Sequence, residues 1–233
     1  MTAGIIRALL GFVIISILLV LTLRWINPPT SMMMTIQRCK AVMNHREDFH
    51  IDYRWVNWEQ IALHLPLAFI ASEDQKFPIH HGFDFESITD SVKTRMNGGR
   101  LRGASTITQQ VAKNLFLWPG KSLLRKGIEA YFTALIEIFW NKRRILEVYM
   151  NIAEFGDGIF GVEAACQRYF RKPAAKIHLW AAARLAAVLP DPKARNPKRP
   201  SAYVHKRAQW IQRQIDRMGG IQILDKINSY RPG

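Results

Sequence analysis

An uncharged stretch near the N-terminus is the feature that most constrains this chain. Sixteen uncharged residues lie between Arg7 and Arg24, and apolar neighbours extend the hydrophobic segment to residues 5–26. A bilayer core requires about 20 apolar residues in a helix, because backbone groups in hydrocarbon must hydrogen-bond internally. A cleaved signal peptide is the alternative, but the segment runs into Asn27-Pro28-Pro29 without a small-x-small cleavage site. The sequence therefore predicts an uncleaved transmembrane anchor at 5–26.

The charge balance predicts the kind of partner. The 233 residues include 33 Lys and Arg against 18 Asp and Glu, a net charge of +15. Such a chain is expected to bind anions, namely nucleic acid, anionic lipid head groups or a phosphorylated substrate. A hydrophobic content of 48% excludes a disordered chain, and two cysteines cannot build a disulfide framework. Arg7 favours a cytoplasmic N-terminus, although Arg24 and the later basic residues argue weakly for the opposite orientation.

Composition and periodicity divide the chain into three regions. The anchor is followed by a predicted linker or adaptor segment over 27–57, which begins with the stiff pair Pro28-Pro29. Residues 58–233 show helical periodicity almost throughout and only weak strand signals. Thr106 and Gln109 fit a capping box that opens a helix. The predicted fold class is mostly α, with a single N-terminal transmembrane helix followed by a helical domain.

Apolar spacing places the other helices of that domain. Residues 84–96 are predicted to bury Phe85, Ile88 and Val92 on one face, and Asn97-Gly98-Gly99 is predicted to end that helix. Further helices are predicted over 123–151 (two helices or one bent helix), 164–170 and 179–189. The basic run 193–207 is interpreted as a solvated tail, with contact to anionic lipid as the alternative.

Two adjacent carboxylates, Glu73 and Asp74, follow the apolar run 65–71. Alone, such a pair is usually a solvated helix end, since acidic side chains are mostly exposed. The alternative is that apolar neighbours raise the pKa of the Glu73 carboxyl, so that this group can act as a general base.

Polar side chains are dense between Gly103 and Asn114, where three hydroxyls, two amides and Lys113 occur together. A capped helix start explains Thr106 and Gln109 but not the others. A helix N-terminus with hydroxyls and a nearby cation is well suited to phosphate oxygens. Walker-type and dinucleotide-binding loops do not occur in the sequence, so the cluster does not predict a nucleotide site.

Three later clusters have structural interpretations when taken singly. Arg125 and Glu129 form an i, i+4 pair, which on a surface contributes about 0.3–0.5 kcal/mol. Residues 142–151 predict an amphipathic helix with a mainly structural role. Gly158 and Gly161 predict a tight turn and close packing.

Taken together and in this order, the clusters resemble the peptidoglycan glycosyltransferases of family 51, in particular the monofunctional members with one N-terminal anchor. The family's usual E-A-A-L-L-A reads Ala181-Ala-Ala-Arg-Leu-Ala here, which puts a supporting role at that position in doubt. The resemblance covers 73–192, about half the chain, through E-D-x-x-F-x-x-H-x-G at 73–82, G-x-S-T-x-T-Q-Q-x-x-K-N at 103–114, R-K-x-x-E at 125–129 and K-x-x-I-L-E-x-Y-x-N at 142–151.

The resemblance implies a lysozyme-like helical glycosyltransferase domain on the periplasmic side of the bacterial inner membrane. It implies that this domain polymerises lipid II, a disaccharide-peptide on undecaprenyl diphosphate, into β-1,4 glycan with inversion. Glu73 is implied as the base, and Glu129 as a second catalytic carboxylate that holds nearby cations or a divalent ion. Sugar or diphosphate binding is implied for a further set of residues: Lys113, Arg125, Lys126, Ser105, Thr106, Gln109, Asn114, Asp74, Phe77 and His80.

The implied partners are lipid II, the growing glycan strand, inner-membrane lipid and proteins of cell division or elongation, but not nucleic acid. No cofactor is strictly implied, although magnesium or manganese would suit a diphosphate leaving group, and metal ligands stay unassigned. Basic and aromatic residues interleave around Phe116, Leu117 and Trp118. This pattern predicts a patch that dips into lipid, with burial in the core as the alternative.

Two other classes of function stay open. A membrane-anchored, lysozyme-like lytic transglycosylase would share the acidic residue but has no need of cations around a diphosphate. A basic, membrane-anchored binding module fits the charge alone and predicts that Glu73→Gln leaves function intact. Neither S-x-x-K nor K-T-G occurs, which excludes a penicillin-binding transpeptidase domain within the chain. The sequence leaves open whether Cys39 and Cys166 pair.

Overall fold

A computed structural model describes residues 2–96, 98 and 105–229 of the chain. Over these residues it is mostly helical, as predicted, with one small sheet. The helices are α1 (Thr2–Leu23), α2 (Met32–Met43), α3 (His64–Glu73), α4 (Phe85–Met96), α5 (Ile107–Phe116), α6 (Leu123–Phe139), α7 (Lys142–Ile152), α8 (Val162–Phe170), α9 (Leu179–Val188), α10 (Ala202–Arg217) and α11 (Gln222–Ser229). The strands are β1 (Asp52–Tyr53), β2 (Glu154–Gly156) and β3 (Ile159–Phe160), and single 3₁₀ turns occupy Trp58–Gln60 and Ala174–Lys176.

Helix α3 forms the centre of the domain. Residues 65–71 are all buried, because this helix is apolar on every side and therefore needs neighbours around it. It packs against α9 and α10. The alanines of α9, such as Ala182 and Ala186, are fully buried and allow that close approach. Helix α5 packs in turn against α6 and α7, so α3 and α5 both lie inside the helical core.

The small sheet has the strand order β1-β3-β2, with β1 parallel and β2 antiparallel to β3. Both predicted turn glycines are required there. Gly158 has φ +76° and its Cβ would lie 2.5 Å from the His50 carbonyl oxygen. Gly161 has φ +82° and its Cβ would lie 2.6 Å from the Asn151 carbonyl oxygen. A side chain at either position would force the backbone apart.

The predicted helices of the domain are present with small shifts in their ends. The stretch 123–151 forms two helices, α6 and α7, and the capping box of Thr106 and Gln109 opens α5. Helix α4 exists, but its predicted buried face is wrong at Phe85, whose side chain is 72% exposed. The side chain of Val92, and Asn97 and Gly99 of the predicted stop, lie outside the described residues.

The N-terminal regions differ from the expected boundaries. The anchor helix ends at Leu23 rather than at 26, because Arg24–Ile26 form a turn ahead of Pro28-Pro29. The expected linker or adaptor segment, 27–57, is folded onto the domain. It contains α2, which packs on α5, and β1, which pairs with β3. Asn151 fixes its end, because the Asn151 side chain accepts from the Val56 amide and donates to the Val56 carbonyl, both at 2.9 Å.

Candidate active site

Glu73 is the last residue of α3 and opens into a cleft of about 410 Å³. Its carboxylate accepts hydrogen bonds from the Ser72 hydroxyl at 3.0 Å and from the Gln110 amide nitrogen at 3.1 Å. Burial raises the pKa of this carboxyl above its usual range, and the two hydrogen bonds and the nearby Arg207 charge only partly oppose that effect. A carboxyl at the edge of an apolar helix has thus become a stronger base, as the sequence predicted.

Asp74 joins the end of α3 to the start of α5. Its carboxylate accepts the backbone N–H of Ile107, the first residue of α5, at 2.9 Å. It also lies 3.0 Å from His80 Nε2. Because His80 Nδ1 accepts the Gly82 backbone N–H at 3.1 Å, the ring proton belongs on Nε2, which donates to Asp74. A carboxylate at a helix N-terminus is also favoured by the helix dipole.

Several residues implied as substrate ligands are occupied within the protein. Phe77 is fully buried, and Asp74 and His80 are bound to each other. Thr106 accepts the Gln109 N–H at 3.2 Å and donates to the Gly82 carbonyl at 2.7 Å, and Gln109 accepts the Thr106 N–H at 3.0 Å. These side chains set the geometry of the site. Ser105 is exposed and lines the cleft, which Asp74 and Thr106 line as well.

Gln110 is a site residue that the sequence analysis missed. Its amide nitrogen donates to Glu73, and its amide oxygen accepts the Tyr149 hydroxyl at 3.4 Å. The sequence did contain a signal for Gln110. The capping box uses the side chain of Gln109, and Gln110, the next residue, must then face another side of α5. Gln110 also lies three residues before Lys113, so both side chains share one face of α5.

The cations implied for a diphosphate surround Glu129. Arg125 Nη1 lies 2.7 Å from one Glu129 oxygen, and Lys126 Nζ pairs with the other. Lys113 reaches the same region from α5. Burial and the two neighbouring cations lower its pKa, while Glu129 and Glu73 oppose that effect. Within the described residues, Lys113 has no direct hydrogen-bond or ion-pair partner, and the buried Arg125 Nε has none either. The cluster therefore retains donors for an anion.

Asn114 follows Lys113 on α5 and is half-buried. Residues at i and i+4 share a helix face, so Asn114 lies on the side of α5 that carries Gln110. The face of α5 that begins at Gln110 therefore presents an amide beside Glu73, then the Lys113 ammonium, then a second amide.

A buried ion pair lies behind the cleft. Lys142 Nζ contacts both oxygens of Glu137, at 2.8 and 2.9 Å, and donates to the His80 carbonyl at 2.6 Å. Thr108 donates to the same carboxylate at 2.5 Å. Gly82 has φ +85°, and a Cβ there would lie 2.9 Å from Glu137 Cγ, so this position requires glycine. Helix α7, which begins at Lys142, therefore supports the segment that carries His80, in line with the mainly structural role predicted for 142–151.

The described residues hold no ready-made cluster of metal ligands. They contain no group of three or more His, Cys, Asp or Glu side chains that could hold an ion. Each Glu129 oxygen accepts a hydrogen bond from one cation, Arg125 or Lys126, and each keeps a second lone pair that a metal ion could use. The cysteines are unpaired, Cys39 being exposed and Cys166 buried.

Comparison with known proteins identifies the family to which the chain belongs. A family model described as Transglycosylase matches residues 40–216, about three-quarters of the chain. The chain belongs to the transglycosylase family. Similar transglycosylases, each named biosynthetic peptidoglycan transglycosylase, come from Xylella fastidiosa strain 9a5c, at 51% identity over 93% of this chain and 89% of the relative, and from Pseudomonas putida strain KT2440, at 50% identity over 97% and 95%.

The transglycosylase match extends beyond the recognised motifs and includes α10, which contributes to the cleft. Arg207 Nη2 donates to the Ser72 carbonyl at 3.0 Å, and its guanidinium lies 4.1 Å above the Trp210 ring. Trp210 and Gln214 line the cleft beside Glu73. The interpretation of the basic run as a solvated tail is therefore wrong at Arg207, because packing on Trp210 brings this side chain to the base.

Proposed function

We propose that the chain polymerises the glycan of peptidoglycan. It transfers the growing glycan from undecaprenyl diphosphate to the 4-hydroxyl of lipid II and forms β-1,4 linkages with inversion. One observation carries the proposal: α5 connects a glutamate of raised pKa, through Gln110, to a cluster of three cations, through Lys113. The names of the related transglycosylases support the same activity.

Glu73 is the proposed base. A carboxylate with a raised pKa accepts a proton more readily than an ordinary one. It takes the proton of the acceptor hydroxyl while that oxygen attacks the anomeric carbon of the donor sugar. The bond from this carbon to the diphosphate oxygen breaks in the same displacement, which inverts the anomeric configuration. Gln110 holds the Glu73 carboxylate in place for this transfer.

The leaving diphosphate gains negative charge as its bond to the sugar breaks. Fixed cations that face this developing charge lower the barrier, because they need no reorganisation during the reaction. We assign this role to Lys113, Arg125 and Lys126, with Glu129 holding the last two. A magnesium or manganese ion, if held by the remaining lone pairs of Glu129, would add positive charge beside the departing diphosphate. Ser105 and Asn114 are proposed to hydrogen-bond the sugars or the diphosphate.

The proposed location is the bacterial inner membrane, with the N-terminus in the cytoplasm and the catalytic domain in the periplasm. Helix Ala3–Leu23 is long and apolar enough to cross a bilayer. Arg7 precedes its apolar run and favours the cytoplasmic side for the N-terminus. This orientation places the site on the side of the membrane where peptidoglycan is assembled.

The deciding experiment is polymerisation of labelled lipid II by the detergent-solubilised full-length protein. Wild type should produce glycan strands. Glu73→Gln should reduce the rate by about 10²- to 10⁴-fold, the usual contribution of a positioned general base. Glu129→Gln should also reduce it, because Arg125 and Lys126 lose their shared partner. Glu59→Gln is the matched control, since Glu59 is exposed and pairs with Arg143 away from the cleft.

One result would refute the proposed function, and another would refute the proposed base. A wild-type protein that makes no polymer but releases glycan fragments from purified sacculi would be a lytic transglycosylase. Polymerisation that survives Glu73→Gln would show that Glu73 is not the base.

A further inference from the structure

The end of α1 is bonded to the folded domain. A helix leaves its last four carbonyls without intrahelical partners, and here these belong to residues 20–23. The turn amides of Arg24 and Trp25 satisfy those of Leu21 and Thr22. The other two are satisfied by residues far away in sequence.

Trp140 and Arg144 supply those distant partners. Trp140 Nε1 donates to the Val20 carbonyl at 2.8 Å, and both residues are fully buried. Arg144 donates to the Leu23 carbonyl through Nε at 3.2 Å and Nη2 at 3.0 Å, and its Nη2 also donates to the Ile26 carbonyl at 3.0 Å. A cation at a helix C-terminus is favoured by the helix dipole as well.

A further contact lies well inside the apolar segment. The Ser16 hydroxyl donates to the Val13 carbonyl at 2.9 Å, so the Tyr131 hydroxyl, 2.6 Å away, must be the donor to Ser16. Phe12 packs on the rings of Tyr131 and Phe132, at centroid distances of 5.8 and 6.4 Å. Ser16 lies seven residues before the end of α1, roughly 10 Å along the helix axis. The middle of α6 therefore meets α1 below the surface of the bilayer.

The N-terminal end of α6 lies deeper in the bilayer than Tyr131, because of the direction in which this helix runs. Tyr131 and then Trp140 meet α1 in the same order as the residues of α1 that they contact, so α6 runs toward the aqueous end of α1. The N-terminal end of α6 therefore points away from that surface. Leu123 and Leu124 lie there and are 93% and 72% exposed, which is unfavourable in water and favourable in hydrocarbon.

We propose that α1 stays docked on α6 in the membrane, and that this contact fixes the depth at which the N-terminal end of α6 enters the bilayer. The anchor is thus a part of the catalytic unit rather than a flexible tether. Its consequence for the site is positional: α6 also carries Arg125, Lys126 and Glu129, so the depth of α1 sets the height of the cation cluster relative to the lipid head groups. The proposal rests on the contacts of α1 and not on the reaction.

Photo-crosslinking in native membranes tests the docking directly. Phe12→benzoylphenylalanine should crosslink to the peptide that contains Tyr131 and Phe132, identified by mass spectrometry after digestion. Ile14→benzoylphenylalanine is the matched control, because Ile14 is 56% exposed and lies about 200° around the helix at nearly the same depth. It should crosslink to lipid only. Equal crosslinking of both probes to α6, or none from either, overturns the docking.

Spin labelling tests the depth. A nitroxide is attached at Leu124→Cys in a Cys39→Ser background, where the remaining Cys166 is buried. Its depth in vesicles is measured from collision rates with oxygen and with a water-soluble nickel chelate. Phe12→Ala combined with Ser16→Leu alters only the docking face of α1 and should make the label shallower, while Ile14→Ala should not. A label depth unchanged by the docking-face variant refutes the depth claim, whatever the polymerisation assay gives.

Discussion

Breaking the buried pair of Glu137 and Lys142 at one partner should cost far more stability than breaking a surface ion pair. The side chains of Glu137 and Lys142 are only 5% and 0% exposed, so Lys142→Met leaves a carboxylate buried with its charge no longer compensated. Breaking one partner of such a pair usually costs about 3–5 kcal/mol. For a domain of this size, about 2–4 °C of melting temperature accompany each kcal/mol, so Lys142→Met should lower the melting temperature by about 6–20 °C.

Thermal unfolding followed by circular dichroism in detergent measures this effect. Arg143→Met is a matched control one residue away, because its partner Glu59 is exposed, and it should change the melting temperature little. The double variant Glu137→Gln with Lys142→Met removes the buried charge and should recover a large part of the loss. If the double variant is as unstable as the sum of its single variants, an uncompensated buried charge is not the reason for the destabilisation.

Three further predictions concern the site and its surface. Gln110→Leu removes a hydrogen bond that lowers the pKa of Glu73. Because a base works deprotonated, the acidic limb of the pH–rate profile should move to a pH still farther above the ordinary glutamate range. An unmoved limb would mean that another group is the base. Burial lowers the pKa of Lys113, so activity should fall on the alkaline side below the ordinary lysine range, and Lys113→Arg should move that fall to higher pH; identical profiles would exclude this titration. Transfer of the full-length protein from detergent to anionic vesicles should shift tryptophan emission to the blue, and Trp118→Phe should reduce the shift while Trp180→Phe, at a similar exposure, should not. The predicted lipid contact is wrong at Leu117, which is buried in the core, and equal shifts in both variants would exclude the contact at Trp118 as well.

The site residues that could be predicted from sequence are those fixed by local geometry. A capping box spans four residues of one helix end, so Thr106 and Gln109 identify the start of α5 without any knowledge of the fold. The pairing of Arg125 with Glu129 follows from the helix repeat in the same way. The raised pKa of Glu73 was foreseeable because seven consecutive apolar residues precede it closely and must be buried.

The residues that could not be predicted depend on how distant elements meet. Arg207 reaches Glu73 only because α10 packs on α3, and an amphipathic basic helix does not reveal its partner. Phe85 has the spacing of a core residue yet is exposed, since periodicity identifies an apolar face without showing what covers it. Strand β1 was missed because two residues carry almost no signal, and its partner β3 lies about a hundred residues later.

Helix α5 fixes the distance between the residue that contacts the proposed base and the first of the proposed diphosphate ligands. Gln110 donates to Glu73, the proposed base, and Lys113, a proposed diphosphate ligand, follows three residues later, about 4.5 Å farther along the helix axis. That interval is set by peptide geometry and backbone hydrogen bonds, which no loop movement can alter. A movement of α5 as a whole would therefore leave the distance between Gln110 and Lys113 unchanged. A single residue inserted between Gln110 and Lys113 would leave both side chains present and separate their actions.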